Sequence, residues 1–392
     1  LDPAMGSGNF LIRVSDRLME GLAAAIPDEA DRRKHIMENM VYGVELQPKN
    51  VMIASMFLDP ESQYETHLAC ADSLKFDFWD MKFDVVVGNP PYQKEDGGHS
   101  RSSKPIYHTF VYKSQELSAR YVLMITPSRW MIGGKGLSGF RNDMMKDRRV
   151  KLIVDDSSSS GIFTSVDIAG GVSYFLWDAE YYGPCNFNGV ERYLDEEDII
   201  VRENEALSIL KKVKKSSQIW IGSSASPRKP YGLDGEAEEV ANSGVPCWHK
   251  QSIGLRMISP DDVKDPRGDV NTWRVLVPYA PIAGQTDFSK PISFFNDKNV
   301  IIAKPGEYCT ETFIILKSCS TEEEAKNFLS YLKTRFFRFM LRMRTISQHI
   351  TRENYMWVPD LEDYSKEWND RELYTHFNLT QEEITLIENT IV

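Results

Sequence analysis

The chain has 392 residues, 42% of them hydrophobic and 26% charged, with a formal net charge of −11, a composition that suits a folded soluble protein with room for two domains. No run approaches the roughly 18 uninterrupted apolar residues that a membrane span needs, and with no signal peptide the protein is expected in the cytoplasm. The five cysteines, Cys70, Cys185, Cys247, Cys309 and Cys319, are scattered without a CxxC pair or a Cys/His cluster, so neither a disulfide framework nor a metal site is expected.

In chain order, Leu1 and Asp2 read as the end of a strand, so further residues are expected upstream of them. A glycine turn at residues 6–8 leads into a helix over 9–25. Strand-like and amphipathic segments then alternate. Strands are expected at 41–45, 67–71, 84–88, 121–126, 150–154 and 172–177, and helices at 48–57, 106–117 and 139–147. Alternation of this kind predicts βαβ units and a mainly parallel sheet. The rhythm changes after about Asp198. Residues 199–392 mix Pro, Gly and Ser with aromatics and strand-like runs at 300–303 and 312–316. A long helix is expected over 321–344, and a last one from the capping box Thr380-x-x-Glu383. Two domains follow from this: an α/β domain over 1–198 and a mixed α+β domain over 199–392.

Acids recur at the ends of the first strands. Asp2 opens the segment Asp2-Pro3-Ala4-Met5-Gly6-Ser7-Gly8-Asn9-Phe10, a glycine turn before a helix where backbone can approach a ligand closely. Its carboxylate is placed to pair with the ammonium of an amino-acid-like ligand. Glu45 ends the second strand, on the edge where a doubly wound sheet binds nucleotides, and an acid there suits the hydroxyls of a ribose. Asp72 follows the third strand and can accept a hydrogen bond from an adenine amine. Each alone reads equally as a surface carboxylate or a helix cap. Three in succession point to one binding edge.

Asn89-Pro90-Pro91-Tyr92 directly follows the β-branched strand at 84–88. The prolines fix the backbone and remove amide donors, so carbonyls there are rigidly aimed acceptors. The Asn89 side-chain oxygen and the Pro90 carbonyl can both accept from one NH2 group, and Tyr92 offers a face for a planar base. By itself the tetrapeptide equally fits a Pro-Pro turn with a core tyrosine. Downstream of an Asp-Pro-Ala-x-Gly-Ser-Gly turn, the functional reading is the stronger.

Residues 2–10 and 89–92 together resemble the cofactor and catalytic motifs of N6-adenine DNA methyltransferases. Their order, with a long C-terminal region last, is similar to the gamma class of bacterial restriction–modification systems. The resemblance implies a Rossmann-like methyltransferase domain dependent on S-adenosyl-L-methionine, followed by a target-recognition domain. It implies that Asp2 holds the methionine part of the cofactor, Glu45 the ribose and Asp72 the adenine, with Leu74 or Phe76 packed on that ring and Ala4, Gly6 and Gly8 of the turn also binding the cofactor. Asn89, also beside the cofactor, is catalytic with Pro90, Pro91 and Tyr92. Tyr92 and Phe163 are the implied pair of aromatics against a flipped base, although Phe163 equally fits a core position. The family's usual segment before the glycine turn would lie upstream of Leu1.

The net charge argues against a nucleic-acid partner, but residues 360–392 hold nine carboxylates against Lys366 and Arg371, a net of −7. The remainder is only mildly acidic, and a DNA-binding surface needs a local patch rather than a basic whole. Arg101 and Lys104 in the Gly/Ser-rich stretch after Tyr92, a stripe of Arg335, Arg338 and Arg342, and the polar Gln348 and Arg352 are the expected contacts to double-stranded DNA. A surface loop and a solvated basic face account for the same residues. A restriction endonuclease domain or subunit is a further expected partner. An RNA or protein-glutamine methyltransferase, or a non-catalytic DNA-binding specificity module, are the alternatives; the length of the second domain favours DNA.

Overall fold

The computed structural model describes the chain except residues 79–80, 95–103, 135, 160, 164–167, 241–243, 251, 285–286, 288–289, 296–297 and 392. It forms two compact units, residues 1–164 with 171–200, and residues 165–170 with 201–392.

The first unit runs α1 (Asn9–Gly21), α2 (Glu29–Asn39), β1 (Tyr42–Glu45), α3 (Pro48–Leu58), β2 (His67–Cys70), β3 (Phe83–Gly88), α4 (Tyr107–Leu117), β4 (Ser118–Pro127), α5 (Ser138–Lys146), β5 (Val150–Asp156), β6 (Val172–Asp178), β7 (Cys185–Phe187) and β8 (Val190–Arg192). Parallel β1 and β2 form one ladder, and β3-β4-β6-β5-β7-β8 form another. Leu1 and Asp2 join them. Leu1 N donates to Val85 O (2.8 Å) and Val87 N to Leu1 O (2.9 Å). On the other side, Asp2 N donates to Tyr42 O and Val44 N to Asp2 O, both at 3.0 Å. The spatial order is therefore β2, β1, Leu1–Asp2, β3, β4, β6, β5, β7, β8, with β6 antiparallel to both neighbours. This is a doubly wound sheet, and its parallel strands all end on the same edge.

One core lies between the sheet and α4 and α5. It contains Val86, Val122, Met124, Ile153, Phe175 and Trp177, with Tyr107, Val111, Trp130 and Phe140. A smaller core gathers Met5, Leu11, Ile36, Met37, Ala54 and Leu58 beneath α1–α3. The helix α2 was not foreseen, because Glu-Ala-Asp-Arg-Arg-Lys-His carries no apolar stripe. Its start is set instead by Asp28, whose side chain accepts from Asp31 N.

The second unit contains α6 (Ala206–Ser216), α7 (Ile221–Ser224), β9 (Val245–Trp248), β10 (Leu255–Ile258), β11 (Trp273–Pro278), β12 (Ile301–Ala303), β13 (Tyr308–Cys309), β14 (Phe313–Cys319), α8 (Glu322–Leu332), α9 (Arg335–Arg342), α10 (Asp370–His376) and α11 (Gln381–Thr390). Two three-stranded sheets, β12-β11-β14 and β10-β9-β13, share a core through Leu276, Ala303, Cys247, Cys309 and Ile315. The single helix expected over 321–344 is in fact two. Thr334 leaves helical geometry (φ −65°, ψ 150°) and caps α9 by accepting from Phe337 N at 3.1 Å. A threonine inside a continuous apolar pattern competes with the helix in this way. The final capping box forms as expected, with Thr380 N donating to Glu383 (2.8 Å). Among the described residues no helix is long and apolar enough to cross a membrane, and no cluster of His, Cys, Asp and Glu is able to hold a metal ion.

Candidate functional site

The strand ends of the first unit gather the acids and the Asn-Pro-Pro-Tyr segment on one edge. Asp2 is almost fully buried (1% exposed) between β1 and β3. Its Oδ1 accepts from Ala4 N at 3.0 Å, while Oδ2 is buried with no partner. A carboxylate so enclosed loses its hydration, and burial raises the Asp2 pKa to about 7. Gly88, the last residue of β3, lies directly against it: a Cβ there would sit 2.9 Å from Asp2 Oδ1. The absence of a side chain at Gly88 is what lets the acid of the first turn reach the residue before Asn89.

Glu45 is buried at the end of β1 (9% exposed). Its Oε2 accepts from Gly6 N (3.0 Å), and Oε1 from Gln47 N (2.9 Å) and more distantly from Asn50 Nδ2 (3.4 Å). It thus pins the glycine turn, where Gly6 and Gly8 take φ of 55° and 85°, to β1. Next, Ala71 N donates to Glu45 O (3.0 Å), and Ser73 Oγ donates to Pro3 O. The loop after β2 is in this way stitched to the first turn. Asp72 in that loop accepts from Leu74 N (3.1 Å) and pairs with Lys75 (3.3 Å), remaining 40% exposed. Leu74 is half-buried, and Phe76 packs edge-on against Phe78 at the margin of the core.

Asn89 follows Gly88 with its Oδ1 buried and unpartnered. Pro90 is buried and Pro91 exposed. Tyr92 is half-buried, edge-on to Tyr107 at 6.4 Å between ring centroids, and its hydroxyl is also buried without a partner. Burial holds both phenols well above their ordinary pKa, so each remains a protonated donor. Buried polar groups in folded proteins are nearly always paired. Unpaired oxygens on Asp2 and Asn89, on adjoining strand ends, mark an edge arranged to receive polar groups from outside the chain.

Lys94 N donates to Lys104 O (3.0 Å) and Ile106 N to Tyr92 O (3.2 Å), closing the base of the stretch after Tyr92. Lys104 is exposed, and Arg101 lies outside the described residues. Phe163 is half-buried at a turn closed by its own N–H to Ser159 O (2.8 Å).

In the second unit the three arginines of α9 have different surroundings. Arg335 is half-buried. The Arg338 Nε donates to Thr334 O (3.2 Å), and burial lowers its pKa. Arg342 is ion-paired with Glu203, its side chain only 12% exposed. Gln348 is exposed and accepts from Gly284 N (3.1 Å), and Arg352 pairs on the surface with Glu353 (3.2 Å). Sequence reasoning missed Thr126, Ser173 and Tyr107, buried polar residues of the same first unit. Their only signal was a polar residue near either end of an apolar strand or opening a helix.

Residues 39–163 match the Eco57I restriction-modification methylase family. They include Glu45, Asp72, Asn89–Tyr92 and Phe163. An uncharacterized adenine-specific methylase from Mycoplasma pneumoniae is 26% identical, the match covering 48% of this chain and 62% of the relative. The type II restriction enzyme and methyltransferase RM.BcgI of Heyndrickxia coagulans is 25% identical, over 44% of this chain and 26% of its own length. The chain therefore spans less than two thirds of the length of either curated relative. Among solved structures, a modification subunit of a type I restriction enzyme from Vibrio vulnificus is similar, with a TM-score of 0.36 and 16% identity over 47% of this chain and 40% of that one.

Proposed function

We propose that the chain is a site-specific DNA adenine-N6 methyltransferase using S-adenosyl-L-methionine, the modification component of a restriction–modification system. The observation that carries this reading is the meeting of Asp2 and Asn89 across Gly88, each with a buried oxygen lacking a partner. The match of residues 39–163 to a restriction-modification methylase family, and the similarity to an adenine-specific methylase, support the substrate.

The residues suit the cofactor. The free Oδ2 of Asp2 is matched to the ammonium of its methionine part, and Glu45 and Asp72 lie on the same edge for the ribose and adenine. Bound there, the cofactor supplies an electrophilic methyl group. The chain's own residues must then make the N6 amine nucleophilic, because its lone pair is delocalised into the ring. Asn89 Oδ1 and the Pro90 carbonyl accept its hydrogens, drawing the nitrogen towards tetrahedral geometry and localising the lone pair. Pro91 has no N–H, so this turn offers acceptors without a competing donor at that position. Catalysis is then positioning plus electrostatics. A base within a duplex cannot reach this edge, so it must be flipped out and held on Tyr92, with Phe163 as the second ring. The second unit is the target-recognition domain in this reading, with Arg335, Gln348 and Arg352 as its contacts to double-stranded DNA; Lys104 of the first unit is a further phosphate contact. A linked or separate endonuclease is the matching partner.

The test is methyl transfer from labelled S-adenosylmethionine to unmethylated DNA, with RNA and protein as control acceptors and Asn89→Ala beside the wild type. Label recovered as N6-methyladenine and lost in Asn89→Ala supports the assignment. Label on RNA or protein alone sinks the DNA substrate.

A further inference from the structure

The ladder register places a second set of polar groups on the same edge. Gly88 pairs with Met124, Met124 with Phe175 and Phe175 with Ile153, giving an apolar row across β3, β4, β6 and β5. The next row on that face, two residues nearer the strand ends, is polar: Thr126 pairs with Ser173, and Ser173 with Asp155. On β3 the ladder ends where Gly88 pairs with Met124, and Pro90 follows two residues further along the chain. Adjacent strands lie about 4.8 Å apart, so Thr126 lies on the strand beside the one that leads into the carbonyl assigned to the target amine.

Thr126 and Ser173 are buried, at 0% and 1% exposure, and neither hydroxyl has a hydrogen-bond partner. The Asp155 carboxylate takes the Ser128 hydroxyl at 2.5 Å. Gly171 holds Ser173 in place: its positive φ of 82° and lack of a side chain bring the start of β6 against Asp156 O. The fold therefore keeps two donors side by side, buried and unspent, when a valine or an alanine would fill the same space without leaving a hydroxyl unpaired.

We infer that Thr126, with Ser173 beside it, donates a hydrogen bond to N1 of the flipped adenine, making it a specificity-determining residue of this site. The inference rests on the proposed reading of Asn89. Once Asn89 and Pro90 accept the N6 hydrogens, N1 is the neighbouring polar atom, sharing the carbon that bears the amine. An acceptor pair followed by a donor complements that edge of adenine. Guanine carries the reverse order, an acceptor oxygen beside a ring N–H, and meets two oxygen acceptors with its own oxygen. A site that hydrogen-bonds its substrate in this way rejects the mismatched analogue strongly, because its buried polar groups are then left unpaired.

The experiment uses the full chain and an oligonucleotide carrying the mapped methylation site, with adenine, 1-deazaadenine or 7-deazaadenine at the target. For the wild type, 1-deazaadenine is expected to lower kcat/KM by about tenfold to a hundredfold, and 7-deazaadenine much less. Thr126→Val is expected to lower kcat/KM on adenine by a similar factor and to show no further loss on 1-deazaadenine. Its Tm should be equal to or above that of the wild type, since the variant removes an unpaired buried hydroxyl, whereas a purely structural role gives a lower Tm. Ser173→Ala gives the second variant should Thr126→Val fail to fold, with a smaller loss expected in the same direction. Full activity of Thr126→Val, independent penalties for the variant and 1-deazaadenine, or a dominant 7-deaza effect would each overturn the inference. A wild type that methylates no DNA instead removes the reading on which it rests.

Discussion

Asp2 and Gly88 touch across two neighbouring strands, with the position of a Cβ on Gly88 only 2.9 Å from Asp2 Oδ1. Gly88→Ala must therefore displace the buried carboxylate, the backbone of β3, or both. Overpacking of this kind costs about 1–3 kcal/mol. The expected outcome is a lowered Tm together with cofactor affinity reduced at least tenfold by titration calorimetry. Unchanged affinity with a lowered Tm would mean that Asp2 does not need its present position to bind the cofactor.

The pKa of Asp2, raised to about 7 by burial, gives a pH dependence of defined sign. A carboxyl whose folded pKa exceeds its unfolded value favours the fold most when protonated, below about pH 4. That contribution is lost as pH rises through about 7. Cofactor binding runs the opposite way, because only the carboxylate pairs with an ammonium. Affinity is expected to rise between about pH 6 and pH 8, with a proton released on binding in the lower part of that range. Calorimetry in buffers of different ionisation enthalpy measures the proton directly. Asp2→Asn should flatten the profile and weaken binding throughout; a profile that survives the substitution assigns the titration to another group.

Much of this edge was legible in the sequence because its elements are local. A run of Val85, Val86 and Val87 ending in Gly-Asn-Pro-Pro announces both a strand and its stop, and Thr380 with Glu383 announces a helix start. The contacts that make a site of these elements are not local. Nothing in the neighbourhood of Gly88 says that its missing side chain is needed by Asp2, 86 residues earlier. Likewise Thr126 and Ser173 become a pair only through the antiparallel register of β6. The Thr321–Arg344 pattern failed for a different reason. Apolar periodicity runs through Lys333 and Thr334, and only the side-chain cap of Thr334 decides that the helix breaks there.

The arginines of α9 separate two effects that a basic pattern merges. Arg342 is ion-paired with Glu203 and mostly buried, whereas Arg335 is half-buried, with no side-chain ion pair among the described residues. Removing Arg342 strands a partly buried carboxylate, so Arg342→Ala is expected to lower stability by about 1–3 kcal/mol in urea titration. Arg335→Ala should change stability by less than about 0.5 kcal/mol. If Arg335 grips a phosphate, its loss weakens DNA binding and lowers the salt slope by about one. Equal effects of the two substitutions on the urea midpoint would contradict the division.

Gly171 and Gly189 share nearly the same backbone conformation, with φ of 82° and 85°, but not the same surroundings. Around Gly189, in the turn between β7 and β8, nothing lies within 4 Å of the position a Cβ would take. At Gly171 that position is 2.1 Å from Asp156 O and 2.7 Å from Ser157 Cα. Alanine at Gly189 therefore meets only the left-handed backbone penalty, about 1–2 kcal/mol. Alanine at Gly171 adds a collision with main chain that cannot be relieved by a rotamer change. It must part β5 from β6 or shift the bond from Ser128 N to Gly171 O (3.0 Å). The expected loss at Gly171 exceeds 3 kcal/mol, read from the urea midpoints of the two variants at an unchanged m-value. Because the same junction sets Ser173 against Thr126, any Gly171→Ala protein that still folds should also lose methyl transfer, while Gly189→Ala keeps it. Matching midpoints for the two variants would show that the β5–β6 junction yields easily, and with it the fixed placement of the Ser173 hydroxyl.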